Sequence, residues 1–275
     1  MLRIRKDATG LGGTLAFLAT ASLAAGIAHA ELSTEELAKL AQNPVGNLIS
    51  VPFQDNLNLN TGPLKLNQNV LNIQPVIPID FSPDWNIITR TIIPVISQPA
   101  LDPSGSRING IGPVQISAFL SPANPNGTIW GIGAITQVPT ATNDVLGSNQ
   151  WGLGPTFVIL KLAKGNPWVY GILVNDIWSV GYGSGGSYNN LLMQPFANYN
   201  FEGGTYLTSS PIVTANLNAS SGNVWTIPVG GGIGKIFHFG KLPVNTQIGG
   251  YYNVARPEYT GNWTIRAQIQ FMFPK

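Results

Sequence analysis

The residues able to do chemistry are few and far apart. Two histidines occur in 275 residues, His29 and His238, and cysteine is absent. A serine hydrolase would need a serine and an orienting polar group within hydrogen-bond reach of His238. Phe237-His238-Phe239-Gly240 carries no nucleophile motif. A metal centre would need clustered His, Cys or carboxylate ligands, and the acids here are dispersed. Gly230-Gly231-Gly232-Ile233-Gly234 is glycine-rich, but phosphate-cradling loops lead from a strand into a helix, and no helical pattern follows. Those glycines fit a strand that is curved or crowded. The residues therefore predict no enzyme, no metal site and no cofactor. What remains is a set of amides and two arginines, Asn72, Gln74, Arg90, Arg266, Gln268 and Gln270, whose chemistry is hydrogen bonding and charge recognition.

The chain around them is poor in charge. Charged residues make up 9% of it, with 32 Gly and 21 Pro, whereas soluble domains run near about 25% charged. A secreted β-sandwich would explain strands and turns, but its outer face should carry many Lys and Glu. The N-terminus has a basic start (Arg3, Arg5, Lys6), an apolar stretch opening at Leu15-Ala16-Phe17-Leu18-Ala19, and the small-x-small tripeptide Ala28-His29-Ala30. This pattern predicts that residues 1–30 are a cleaved secretory signal rather than a retained anchor. Removing it takes Arg3, Arg5, Lys6 and Asp7 from 14 basic and 12 acidic residues, leaving eleven of each. The mature chain is neutral, so a nucleic-acid partner has no compositional support. Beyond the signal no apolar run reaches the roughly eighteen residues of a helical membrane span.

Residues 31–46 predict a short amphipathic helix and lead-in. Ser33 and Glu36 have capping-box spacing, Leu37, Leu40 and Ala41 form an apolar stripe, and Asn43-Pro44 ends it. Such a helix either sits as a satellite at the mouth of the fold or plugs its interior. From residue 47 the period is two. The clearest case is Trp263, Ile265, Ala267, Ile269, Phe271 and Phe273 alternating with Thr264, Arg266, Gln268 and Gln270. Such segments fall at 47–55, 69–79, 85–97, 112–121, 128–138, 151–162, 168–180, 190–201, 205–216, 223–236, 243–254 and 262–273. The segment 205–216, interrupted by Pro211, is the weakest.

One apolar and one polar face, in strands long enough to cross a bilayer, is the pattern of a transmembrane barrel. The prediction is an all-β, antiparallel, up-and-down transmembrane β-barrel of about twelve strands over residues 47–275. Turn lengths alternate. Phe81-Ser82-Pro83-Asp84, Ala163-Lys164-Gly165-Asn166, Glu202-Gly203-Gly204 and Phe239-Gly240-Lys241 are tight, whereas the connections after the first, third, fifth and seventh strands are longer and polar. Short periplasmic turns and long outer loops produce this asymmetry, which puts the helix and both termini in the periplasm. Trp85, Trp130, Trp151, Trp168, Trp178, Trp225 and Trp263 fall near strand ends, as interface girdles do. An arginine facing lipid at mid-membrane costs roughly 2–4 kcal/mol, so Arg90 and Arg266 should point inward, with Gln74 opposite Arg90. There they either pair with Asp55, Asp176 or amides to fill a narrow lumen, or form a constriction that selects solutes. Asp176 shares parity with apolar residues, which requires a bulge or a different register.

Several blocks are also specific enough to carry a resemblance. They are Asn43-Pro44-Val45-Gly46-Asn47-Leu48-Ile49-Ser50-Val51-Pro52-Phe53-Gln54, Leu71-Asn72-Ile73-Gln74-Pro75-Val76, and Trp85-Asn86-Ile87-Ile88-Thr89-Arg90-Thr91-Ile92-Ile93-Pro94-Val95. With Pro139-Thr140-Ala141-Thr142, Trp151-Gly152-Leu153-Gly154-Pro155 and Gln194-Pro195-Phe196, they make the mature chain resemble a group of proteobacterial envelope proteins. These are often labelled "transporter", or misleadingly "neuromedin U", and are similar to the outer-membrane barrels associated with meta-pathway phenol degradation. The C-terminal Phe271 and Phe273 resemble the aromatic signal read by the barrel-assembly machinery, except that Pro274 and Lys275 follow. The resemblance implies a Gram-negative outer-membrane barrel, in contact with outer-membrane lipid, with a transport role. Two functions follow as expectations. One is a porin-like passive channel or uptake barrel for small solutes, hydrophobic or aromatic by the family association. The other is a non-conducting structural or adhesive barrel acting through its loops.

Overall fold

The structure, a computed structural model, describes residues 32–162 and 165–274. The predicted signal peptide, residues 163 and 164 of one predicted turn, and Lys275 lie outside the described residues. Among the described residues, alternating apolar and polar positions build twelve antiparallel barrel strands, each hydrogen-bonded to its chain neighbours. They are β1 (Ile49–Thr61), β2 (Leu66–Ile73 and Val76–Asp80), β3 (Trp85–Gln98), β4 (Ile108–Ile111 and Val114–Pro122), β5 (Thr128–Val138) and β6 (Asn149–Leu162). These continue with β7 (Trp168–Ser184), β8 (Asn189–Asn200), β9 (Thr205–Ser209 and Val213–Asn216), β10 (Trp225–Phe239), β11 (Leu242–Ala255) and β12 (Trp263–Phe273). Strand β12 returns to β1, from Ile49 opposite Phe273 to Leu59 opposite Trp263. That pairing closes the sheet and leaves no free edge.

Three strands are interrupted, each where a proline removes a ladder donor. In β2 the Pro75 carbonyl accepts from Thr91 N–H at 3.0 Å, but Pro75 has no N–H to return. In β4, Gly112-Pro113 shifts the pairing with β3 by one residue, between Ile111 opposite Val95 and Gln115 opposite Ile92. In β9, Ser210-Pro211-Ile212 leaves the ladder, although the register with β8 is the same on both sides of the gap. This is the segment whose pattern was weakest in the sequence.

The first hairpin departs from expectation. Residues 56–61 and 66–68 read as part of a long polar loop, yet they extend the strands to a tight turn at 62–65. Asn56 and Asn58 are inner-face positions there, so the asparagines mark a wet interior rather than a loop. The other long connections, 99–107 and 139–148, fall at the end opposite the first and last barrel residues, as the alternation predicts.

The two faces are sorted as a membrane wall requires. Ile132, Ile248 and Val254 are 55–58% exposed on the outside, whereas Gln54, Asn56, Gln270 and Arg266 are buried within. Aromatic side chains ring the outer face at two levels. Near the terminal rim Trp85 packs edge-on against Trp130 at 5.7 Å, and Trp168 against Tyr199 at 5.1 Å. Towards the far rim lie Trp151, Trp178, Trp225 and Trp263, with Tyr252 tilted on Trp263 at 5.2 Å.

The N-terminal helix α1 (Thr34–Ala41) occupies the interior at the terminal rim. Its capping box is formed, with Glu36 N–H donating to Ser33 Oγ at 3.2 Å and Ser33 N–H donating to Glu36 Oε2 at 3.0 Å. Leu37 and Ala38 are buried against Leu48, Tyr206, Ile236 and Met272, with Leu40 and Ala41 packed beside them. Past the helix, an Asx turn (Val45 N–H to Asn43 Oδ1, 3.0 Å) redirects the chain. It drives Val45 into a second cluster made by Ile88, Phe119, Val158, Leu173 and Phe196. Residues 34–45 thus cross the lumen from the β9–β10 wall to the β3–β8 wall, and Leu48 returns to the first cluster. Each large apolar side chain buried this way contributes roughly 1.5–3 kcal/mol.

Candidate functional site

Above the N-terminal segment the inner faces of seven strands leave a cavity of about 130 Å³. Its wall is rich in amides, because every second residue of these strands points inward and most of those positions are Gln, Asn, Ser or Thr. Gln74, Arg90, Arg266, Gln268 and Gln270 all line it, beside Gln42 and Asn43 of the N-terminal segment. Asn72 lies on the same inner face, paired with Gln54 across β1–β2, but does not border the cavity. Larger spaces of about 500 and 350 Å³ open in the far half of the lumen, and Arg266 borders both the 500 Å³ space and the inner cavity.

The two arginines are held differently. Arg266 is 5% exposed. Its Nε donates to Asn56 Oδ1 at 3.0 Å, Nη1 donates to the Ser210 carbonyl at 2.8 Å, and the guanidinium lies 4.5 Å from the centre of the Tyr251 ring. The gap in β9 makes this possible, since Ser210 has left the ladder and turns its main chain to the lumen. Gln194 Nε2 donates to Ser210 Oγ, and Ser210 N–H to Tyr251 Oη. Arg90 is half-buried and, contrary to expectation, faces Val76 rather than Gln74 across β2–β3, because Gln74 sits at the proline gap; it reaches Gln74 diagonally, donating from Nη2 to Oε1. Of the partners expected for the arginines, the amides are found and neither carboxylate, and Arg266 adds a main-chain carbonyl that was not expected.

Asp55 shares the outer face with Val51, Phe53 and Leu57 and accepts from Asn69 Nδ2 at 2.7 Å. Asp176 is also on the outer face. β7 pairs regularly with β8 from Trp168 to Trp178, Asp176 opposite Leu191, so no bulge turns it inward. Its buried Oδ1 has no hydrogen-bond partner among the described residues.

The inner wall also contains residues that single-strand patterns do not reveal. Tyr206 donates to Asn245 Oδ1 at 2.8 Å, and Asn245 Nδ2 donates to Gln270 Oε1 at 3.1 Å, a chain across β9, β11 and β12. Gly234 makes room for it, because a Cβ there would sit 2.2 Å from the Tyr206 ring. One glycine of the 230–234 run is therefore explained by crowding inside the lumen. The N-terminal segment is tied down by polar contacts as well. Gln42 and Asn200 exchange amide hydrogen bonds at 2.8 and 3.2 Å. The Gly203 N–H donates to Glu35 Oε1 at 2.6 Å, which holds that exposed carboxyl below its ordinary pKa. His238 is exposed at the end of β10, opposite Pro243.

These features define a class, the closed antiparallel β-barrel of outer-membrane type, with a polar interior and an N-terminal segment inside it. Comparison with solved structures agrees on the fold. The chain is similar to an outer membrane channel from Pseudomonas putida F1, at 16% identity and a TM-score of 0.60, over 84% of this chain and 96% of that one. It also matches outer membrane phospholipase A from Escherichia coli, at 12% identity and a TM-score of 0.41, over 89% and 99% of the two chains. A third match is the β domain of a Bordetella autotransporter, at 11% and 0.43, over 82% and 100%. No family model and no curated protein matches the chain. The phospholipase match corrects one expectation from the sequence. The residues predicted no enzyme, but an enzyme stands among the barrels this chain resembles, so that prediction is withdrawn.

Proposed function

We propose that this barrel is a passive channel for small, partly apolar solutes in a bacterial outer membrane, narrowed by its own residues 34–48. The observation that carries the reading is a succession of polar spaces along the lumen. Spaces of about 500 and 350 Å³ in the far half share Thr214 and Thr226, the 500 Å³ space shares Arg266 with the polar cavity of about 130 Å³, and below that cavity lies a segment that is not part of the wall. A filled barrel serving only as a scaffold would have no reason to leave these spaces lined with amides. The solutes are taken as partly apolar because Val76 and Phe196 border the inner cavity beside its polar groups. The two aromatic rings are the interface girdles, and the terminal rim, with its short turns, faces the periplasm.

A closed structural or adhesive barrel is the second reading, favoured by the two apolar clusters that residues 34–48 complete. Single-channel recording in planar bilayers separates the two. The mature chain should show a small conductance, and a chain lacking residues 31–46 a clearly larger one. Absence of conductance in both, together with no solute flux into liposomes, would overturn the channel reading.

A further inference from the structure

We infer that the inner cavity is a binding site for a small organic carboxylate, held between Arg90 and Arg266. The inference deepens the channel reading by naming the solute class, and it rests on that reading only for the route by which the solute arrives. Its basis is a charge imbalance. Both arginines border one cavity of about 130 Å³, and among the described residues no acid borders that cavity or the two larger lumen spaces. The two carboxylates carried by mid-strand positions, Asp55 and Asp176, are on the opposite face of the wall. Charges taken from bulk water are ordinarily paired, and here the protein supplies only neutral partners.

The donors are also placed to receive an anion. A guanidinium has five N–H donors in a planar fork suited to a carboxylate. Arg90 commits Nη2 to Gln74, and Arg266 commits Nε and Nη1 to Asn56 and Ser210, which leaves donors on both for a ligand. The Arg266 contacts, with Tyr251 beneath, fix that guanidinium in place before any ligand arrives. Such preorganisation lowers the cost of binding.

The cavity is not uniformly polar, which selects an organic anion over an inorganic one. Val76, directly opposite Arg90 in the register, and Phe196, largely buried in the cluster around Val45, give the cavity an apolar side. A ligand with a carboxylate head and a short apolar body satisfies both. Chloride or phosphate would satisfy only the first.

The test uses the full mature chain in detergent, with benzoate as the probe, benzyl alcohol as its neutral counterpart, and chloride and phosphate as inorganic competitors, read by isothermal titration. Benzoate should bind and benzyl alcohol should not. Arg90→Gln should weaken benzoate by about ten-fold or more, the loss of a charge-assisted pair, with Arg90→Lys intermediate and the outward-facing Lys235→Gln unchanged. Heat-modifiable migration on gels verifies that each variant is folded. In bilayers, benzoate should reduce the current of the unaltered barrel, and Arg90→Glu should turn an anion preference into a cation preference. A conducting barrel that neither binds benzoate nor prefers anions overturns the inference while leaving the channel intact. Benzoate binding in a barrel that never conducts does the reverse. Equal competition by chloride or phosphate at matched concentration also overturns it, since the site would then hold any anion.

Discussion

The inner and outer faces of the same wall reverse the usual distribution of charge. Inside, two arginines meet amides, a main-chain carbonyl and an aromatic ring, with no acid beside them among the described residues. Outside, in a band of isoleucine, valine and leucine, two aspartates are held by one asparagine in one case and by no described residue in the other. The inner face is a network in which each polar group supports the next. The outer face is a low-dielectric surface in which Asp55 and Asp176 are, among the described residues, the mid-strand acids. A charge inside is therefore expected to be costly to remove, and one outside costly to keep.

The largest effect should come from Arg266→Ala. The substitution takes away two charge-assisted hydrogen bonds and a cation–π contact, and leaves a void beside Tyr251. It should destabilise the barrel by roughly 2–4 kcal/mol, measured by urea unfolding in lipid vesicles. A change within error would mean that water replaces the guanidinium without loss, and the contrast between the faces would weaken.

Asp176→Val tests the outer side and has the opposite sign. Removing an unpartnered carboxyl from the apolar band, two residues along the strand from Trp178, should stabilise by up to about 1 kcal/mol. Destabilisation in the same assay would show that Asp176 has a partner in the membrane.

The smallest effect concerns Glu35, which anchors the N-terminal segment to the Gly203 N–H. Its pKa is lowered in the folded protein, chiefly by that hydrogen bond. Its contribution is therefore present above the ordinary carboxyl value of 4.5 and is lost as the pH falls below it. Opening events in single-channel records should become modestly more frequent on acidification through that range, and Glu35→Gln should flatten the dependence. A rise in openings that persists in Glu35→Gln would place the titrating group elsewhere.

What the sequence disclosed follows from the same division. A strand between lipid and a wet lumen writes its orientation into every second residue, so the twelve strands and the inward direction of Arg90, Gln74, Arg266, Gln268 and Gln270 can be read locally. Asn56-Leu57-Asn58-Leu59-Asn60 follows the same rule, but its asparagines imitate a loop, and the first hairpin was read too short. Asp176 obeyed its parity; the expectation of a bulge came from the cost of a carboxyl outside, which the fold accepts. Long-range packing was not legible. Nothing near Val45 indicates the six strands around it, and nothing near Gly234 indicates Tyr206. The reach of Ser210 to Arg266 depends on a gap in β9 that appears in the sequence only as a proline in a weak segment.

The pairing of Ile49 with Phe273 has a kinetic consequence. The first strand can find its second neighbour only when the last strand is in place, so sealing the cylinder is the most non-local event in its assembly, and slow for that reason. Met272 arrives on that same strand and packs on the cluster that contains Leu37, Ala38 and Leu48. Fastening the last stave and seating the stopper are therefore one step.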